Sequence, residues 1–161
     1  VEAIPVTTIQ ESIDVRVPVS AAYNQWTQFE SFPYFMDGVD RVVQVTDTMT
    51  HWETSIGGVH REFDAQITEQ HPDERVAWRA VDGQDQGGVV TFHRIDAETT
   101  RVNVQMEYAP DTFTEKVGAG LGMIDRKVKG DLAKFKEFIE SRGKESGGWR
   151  GDVGRDPQRG E

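Results

Sequence analysis

Apolar residues recur at steps of three and four through the last regular stretch of the chain: Phe113, Val117, Leu121, Ile124, Val128, Leu132, Phe135 and Ile139. That spacing places them on one face of a helix. Thr112 and Glu115 form a capping box at its start, each able to satisfy the other's exposed amide. Gly143 can close the far end, where Lys134, Lys136 and Arg142 oppose the helix dipole. The spacing predicts a helix over about 113–141, roughly 28 residues and roughly 42 Å long at the usual rise. One apolar face of that length needs a broad apolar partner, and upstream the sequence supplies strands.

Upstream the period changes from 3.6 to 2. Ile9, Ile13, Val15 and Val17 alternate with Gln10, Asp14 and Arg16, with Glu11 out of pattern. Pro18 ends this strand, and Ser20 is placed to cap a short helix over 21–29 whose inner face is Tyr23, Trp26 and Phe29. Ser31-Phe32-Pro33 reopens a second short helix, closed by Gly38. Strands are then predicted over 39–45 and 50–56, and Gly57-Gly58 supplies a hairpin turn. That turn fixes a register: Ile56 opposite Val59, Thr54 opposite Arg61, Trp52 opposite Phe63. All six residues fall on one face, and His51, Glu53, Ser55, His60, Glu62 and Asp64 fall on the other. A turn at His71-Pro72-Asp73-Glu74 likewise pairs Glu69 with Val76, Ile67 with Trp78 and Ala65 with Ala80. The stretch 82–88 reads as a loop, and strands over 89–95 and 100–108 follow. The expected order is β-α-α-β-β-β-β-β-β-α, an α+β domain in which a curved antiparallel sheet of about seven strands wraps the long helix. The 144–161 tail is rich in Gly, Arg and Asp, with too little apolar surface to offset its ordering entropy. It is expected to be disordered, leaving 8–143 as the folded domain, with Trp149 the one tail residue suited to docking.

Composition narrows the function. Eighteen Lys and Arg against 28 Asp and Glu give a net charge of −10. That balance disfavours nucleic acid and anionic membrane surfaces, both of which attract basic patches. There is no cysteine, hence no disulfide and no thiolate metal site. No apolar run is long enough to span a membrane, and no signal peptide is recognisable, so a cytoplasmic protein is expected.

The order of elements resembles the START-like, helix-grip superfamily. Within it the chain is similar to the polyketide cyclase/dehydrase and lipid-transport family, also called SRPBCC. The stretches that carry the resemblance are Val17-Pro18-Val19-Ser20-Ala21-Ala22-Tyr23-Asn24-Gln25-Trp26, Phe29-Glu30-Ser31-Phe32-Pro33 and Phe35-Met36-Asp37-Gly38-Val39. To these are added Asp64-Ala65-Gln66-Ile67-Thr68-Glu69 and Asp73-Glu74-Arg75-Val76-Ala77-Trp78. The resemblance implies a cavity between sheet and helix. Gly118, Gly120 and Gly122, each costing roughly 1 kcal/mol relative to alanine in a helix interior, fit a thin or bent place over that cavity. They fit close helix-to-strand packing, or a break in the helix, equally well.

Trp52, Phe63, Trp78, Phe92, Met106 and Tyr108 are expected to point inward from the sheet, facing Leu121, Ile124 and Val128 of the helix. They form either an aromatic pocket for a flat or oily ligand or a filled core. Arg61 falls inward between Val59 and Phe63, where an unpaired guanidinium is costly. It can orient a carbonyl or carboxylate of a ligand, pair with Glu11, or extend to solvent. His51, His60 and His93 are expected outward and His71 in a turn. No pair has metal-ligand spacing on one helix, so no metal and no cofactor is expected. No nucleophile elbow is present. Arg61, Tyr108 and Tyr34 remain as candidates for proton transfer. The reading is a binder of a small hydrophobic, aromatic or lipid-like molecule, without nucleic acid or stable membrane insertion. The alternative is an aromatase/cyclase promoting aldol closure and dehydration of a polyketide chain. A third class, an interaction protein using Trp149 and the tail, is also carried.

Overall fold

A computed structural model describes residues 7–56, 58–81, 86–108, 120–142 and 144–153. Seven strands among them form one antiparallel sheet: β1 (Thr7–Val15), β2 (Val39–Gln44), β3 (Met49–Ile56), β4 (Val59–His71), β5 (Arg75–Ala80), β6 (Gln86–Asp96) and β7 (Thr99–Tyr108). Their order across the sheet is β1-β7-β6-β5-β4-β3-β2. Every chain neighbour from β2 to β7 is therefore also a spatial neighbour, and the first strand returns to pair with the last, Thr7 opposite Tyr108 and Val15 opposite Thr100. The β3–β4 register has the expected pairs Trp52–Phe63, Thr54–Arg61 and Ile56–Val59. Gly58, at φ +81°, takes the left-handed conformation the turn requires; Gly57 lies outside the described residues.

The β4–β5 hairpin corrects one expectation. Ala65–Ala80 and Ile67–Trp78 pair as predicted, but Glu69 faces Ala77 and Gln70 faces Val76, with the register shifting between Ile67 and Glu69. Thr68 is the extra residue of a β-bulge. Strict alternation would have sent the Glu69 carboxylate inward beside the fully buried Val76, at a large desolvation cost. The bulge turns the neutral Gln70 inward instead, and leaves Glu69 at the surface 3.2 Å from Arg75. Asp73 has φ 64° in the turn that follows, a conformation Asp tolerates better than bulkier residues.

Helix α1 runs Val19–Trp26. Ser20 is not its cap. Pro18 holds that position, and its carbonyl accepts from the amides of Ala21 and Ala22. The second short helix is a 3₁₀ turn, Phe29–Tyr34. The long helix α2 spans Gly120–Arg142, about 34 Å at the usual rise. The capping box at Thr112 and the residue Gly118 lie outside the described residues, whereas Gly120 and Gly122 are helical. Leu132, Phe135 and Ile139 are buried as the spacing requires. Lys136 reaches the Asp14 carbonyl (2.9 Å), and the Arg16 amide donates to Glu140 (2.8 Å), so the helix end is fastened to β1 and the residue after it. On the other side Lys134 pairs with Asp37.

The core is aromatic at its centre. Trp26 touches Phe32, Phe35, Phe92 and Phe135 with ring centroids 5.1–6.4 Å apart. Tyr23 meets Phe92 edge-on at 5.5 Å.

The expectation of a disordered tail does not hold for residues 144–153, which form a strap across α1 and the β4–β5 end. Gln25, wholly buried, exchanges two hydrogen bonds with Ser146 (3.1 and 2.7 Å). The Trp149 amide donates to Thr27 (3.0 Å), and Val153 pairs with Gln70 through both backbone groups. Arg150 bonds Asp73 at 2.9 Å and lies over the Tyr23 ring. The strap is held by polar pairing rather than apolar burial, which is why its composition does not announce it. Residues 154–161 lie outside the described residues.

Under the strap the Tyr23 hydroxyl points toward Gln70. Neither that hydroxyl nor the Gln70 side-chain amide has a hydrogen-bond partner of ordinary geometry among the described residues. Burial pushes the phenol up from 10.0 to about 12, against the opposing effects of the Gln70 side chain and Arg150. The folded state thus holds this proton more tightly than the unfolded chain does. Its contribution to stability is fully present below pH 10 and is lost as pH rises through about 12. In an alkaline absorbance titration, one of the three tyrosines is expected to resist ionisation until about pH 12. Tyr23→Phe should abolish that late step; a late step that survives in this variant would assign it to another tyrosine.

Candidate functional site

The inward face of the sheet is filled unevenly. Phe92, Val90, Val102 and Val104 are buried against α1 and the core aromatics. Trp52, Arg61, Phe63, Trp78 and Met106 are all only half-buried. Val128 on α2 shows the same incomplete burial, in contrast to Leu132, Phe135 and Ile139 further along the helix. These large side chains thus point inward yet remain accessible.

Two of these side chains are positioned by identifiable neighbours. The Trp52 indole N–H donates to the Thr50 hydroxyl (2.8 Å), which donates in turn to the Ala65 carbonyl (3.0 Å). The indole is thereby fixed in orientation, its polar edge satisfied within the sheet. Phe63 stacks on it at 6.0 Å with planes 6° apart, and Phe32 meets it at a tilt at 5.7 Å. Trp78 is placed by a glycine. A side-chain carbon on Gly88, the residue opposite it, would stand 2.6 Å from the indole and 3.0 Å from the Gln105 carbonyl. The end of the stretch expected as a loop, up to Gly88, is in fact the start of β6, and the missing side chain is what gives Trp78 its place. Thr50 and Gly88 carry no sequence signal as site residues; an aromatic opposite a glycine within one register is the available clue.

Not every expected residue joins this set. Phe92 belongs to the closed core, 5% exposed and packed on Tyr23 and Trp26. Tyr34 is 78% exposed and stacks on Phe138 outside the sheet–helix interior, so it is removed from the proton-transfer candidates. Arg61 is where the register puts it, half-buried opposite Thr54. Glu11 faces Val104 on the inward side of β1. Tyr108 ends β7, and Leu121 and Ile124 lie in α2; their side chains are outside the described residues.

The histidines sit elsewhere. His51, Glu53, Ser55, His60, Glu62 and Asp64 occupy the outer face of the β3–β4 hairpin. Asp64, 2.7 Å from one ring nitrogen of His51, raises the affinity of that imidazole for its proton, and Glu62 adds to the effect. His71 lies at the end of β4 with Asp152 of the strap at 3.1 Å, and His93 is exposed. Among the described residues no helix is long and apolar enough to cross a membrane.

A sheet gripping one long C-terminal helix, with short helices after the first strand, defines a START-like protein. The solved structures agree. A START superfamily protein from Mycobacterium smegmatis superposes with TM-score 0.69 at 9% identity, over 84% of this chain and 98% of the other. The Zhui aromatase/cyclase from Streptomyces sp. R1128 gives 0.72 at 12% identity, over 90% and 100%. Residues 15–137 match the family model for polyketide cyclase/dehydrase and lipid transport, and the chain belongs to that family. It is also 64% identical over 146 residues to the "uncharacterized 17.2 kDa protein in melC2-rnhH intergenic region" of Streptomyces lincolnensis, covering 90% of this chain and 97% of that one.

Proposed function

We propose that the chain binds a small hydrophobic molecule, aromatic or lipid-like, between the half-buried part of the sheet and α2. The observation that carries this reading is the set Trp52, Phe63, Trp78 and Met106, inward-facing and incompletely covered. Flat aromatic surfaces backed by a rigid sheet favour a flat or oily ligand, because they bury much area while losing little side-chain entropy. Native mass spectrometry of protein purified from its own host tests the idea. A copurifying organic ligand, released on denaturation and displaced by an apolar fluorescent probe, is the expected result. Absence of both a ligand and probe binding would end it.

A second reading, cyclisation and dehydration of a polyketide chain, is favoured by Arg61. A guanidinium on the inward face beside aromatic walls can hold a carbonyl while the pocket imposes a folded conformation, and orientation alone can supply much of an intramolecular rate. Turnover of a synthetic polyketone mimic that falls in Arg61→Gln, with the fold retained, would support it. Turnover unchanged in that variant would remove the residue from the chemistry.

A further inference from the structure

The outer face of the β3–β4 hairpin places metal-ligating groups together in a way that the sheet register explains and helix spacing cannot. Glu53 and Glu62 stand directly opposite each other, a like-charge pair that destabilises a sheet unless something lies between or beside it. His51 precedes Glu53 by two residues on the same face. Ligand atoms of His51, Glu53 and Glu62 lie within 4.8 Å of one another. His51 Nε2 is 3.2 Å from one oxygen of Glu62, and His60 Nε2 is 3.4 Å from the other. Two imidazoles from opposite strands thus converge on one carboxylate.

The rings are also held in position from behind. His51 Nδ1 is 2.7 Å from Asp64 Oδ1. His60 Nδ1 is 3.4 Å from the Ser55 hydroxyl and 3.9 Å from Asp40. With Nδ1–H donating to the group behind it, each ring presents Nε2 toward Glu62; a cation entering there takes the Nε2 lone pair, and a proton held on that nitrogen leaves to solvent. A carboxylate behind a histidine, fixing its tautomer and raising its basicity, is the usual outer support of a histidine metal ligand. Glu53 meanwhile accepts from Arg41 at 3.2 Å, a contact at the rim that one carboxylate oxygen can keep while the other binds a cation.

We propose that this face is a binding site for a divalent transition cation of the zinc type, with His51 Nε2, Glu53 and Glu62 as ligands and His60 completing the set. Mixed imidazole and carboxylate donors suit zinc better than magnesium or calcium, which take oxygen ligands. Bonds of about 2.0–2.2 Å to nitrogen and oxygen require these donors to draw together by a modest amount. The side chains at this surface can do this by rotamer change, without movement of the strands. The site is back to back with the stacked Trp52–Phe63 pair: Trp52 lies between His51 and Glu53, and Phe63 follows Glu62. A bound cation would therefore cross-link the hairpin that carries Trp52 and Phe63, two of the three half-buried inward aromatics.

The test uses the full chain, stripped with a chelator and dialysed, titrated with zinc by calorimetry and with cobalt(II) by visible absorption. One equivalent is expected to bind, with the imidazole signals of His51 and His60 shifting in nitrogen-correlated NMR spectra and the thermal midpoint rising. His51→Asn and Glu62→Gln should each weaken binding at least about tenfold, while circular dichroism shows the fold intact. His93→Asn should bind as the parent does. His71→Asn separates this site from the other histidine–carboxylate contact, that of His71 with Asp152. Undiminished binding in His51→Asn or Glu62→Gln, binding lost in His71→Asn instead, or no binding by the parent at micromolar protein would each overturn the proposal. None of these outcomes depends on what the inward face of the sheet holds.

Discussion

Replacing Trp26 with alanine is expected to destabilise the protein by about 3–5 kcal/mol, the range for deleting a large aromatic from a core that cannot collapse around the gap. Trp26 is 4% exposed and is the hub of four ring contacts, to Phe32, Phe35, Phe92 and Phe135. Those partners come from the 3₁₀ turn, the segment after it, β6 and α2, so no single element can shift to fill the space. A loss of that size is a large part of the roughly 5–15 kcal/mol that holds a typical domain together. Chemical denaturation of the variant measures it. A loss below about 1.5 kcal/mol would mean that the core relaxes far more readily than its close packing implies.

Phe63→Ala should behave in the opposite way. Phe63 is half-buried and stacks on Trp52 outside the buried core cluster. Its removal is expected to cost under about 2 kcal/mol of stability, the sum of partial burial and one aromatic pair. Binding of an apolar probe should fall about 10- to 100-fold, because the lost contact area lies where the ligand would sit. Fluorescence titration and a thermal melt on the same sample give both numbers. A variant as unstable as Trp26→Ala, or one that binds the probe unchanged, would place Phe63 in the core and not in a site.

The two substitutions differ in how far the amino-acid sequence foretells them. Turn residues with a definite geometry set the registers: Gly57-Gly58 and the 71–74 turn together imply that Trp52, Phe63, Ile67 and Trp78 share one face, and the strand pairing agrees. The helix face at Leu132, Phe135 and Ile139 follows from its spacing. The bulge at Thr68 does not, because a period of two contains no mark of the residue that breaks it. Which aromatics are closed in and which stay accessible is equally illegible in the sequence. Phe92 and Trp78 have the same alternation, and only tertiary packing by Tyr23 and Trp26 separates them. The strap is hidden for a different reason: its Gly147 and Gly148 approach the side chains of Gln28 and Asn24 closely, and polar pairing of that kind has no periodic signature. His51, Glu53, His60 and Glu62 share a predicted outer face, but helical spacing cannot combine ligands that lie across two strands.

The return of β1 to pair with β7 has a consequence during synthesis. Val15 finds its partner in Thr100, 85 positions later (100 − 15), and the helix that covers β1 comes later still. At roughly 5–20 residues per second, the first strand waits about 4–17 s on the ribosome with its hydrogen-bonding edge unpaired. The strands from β2 to β7, each adjacent in sequence to the next, can meanwhile form hairpins as they emerge. β1 is thus the last strand of the sheet to be joined.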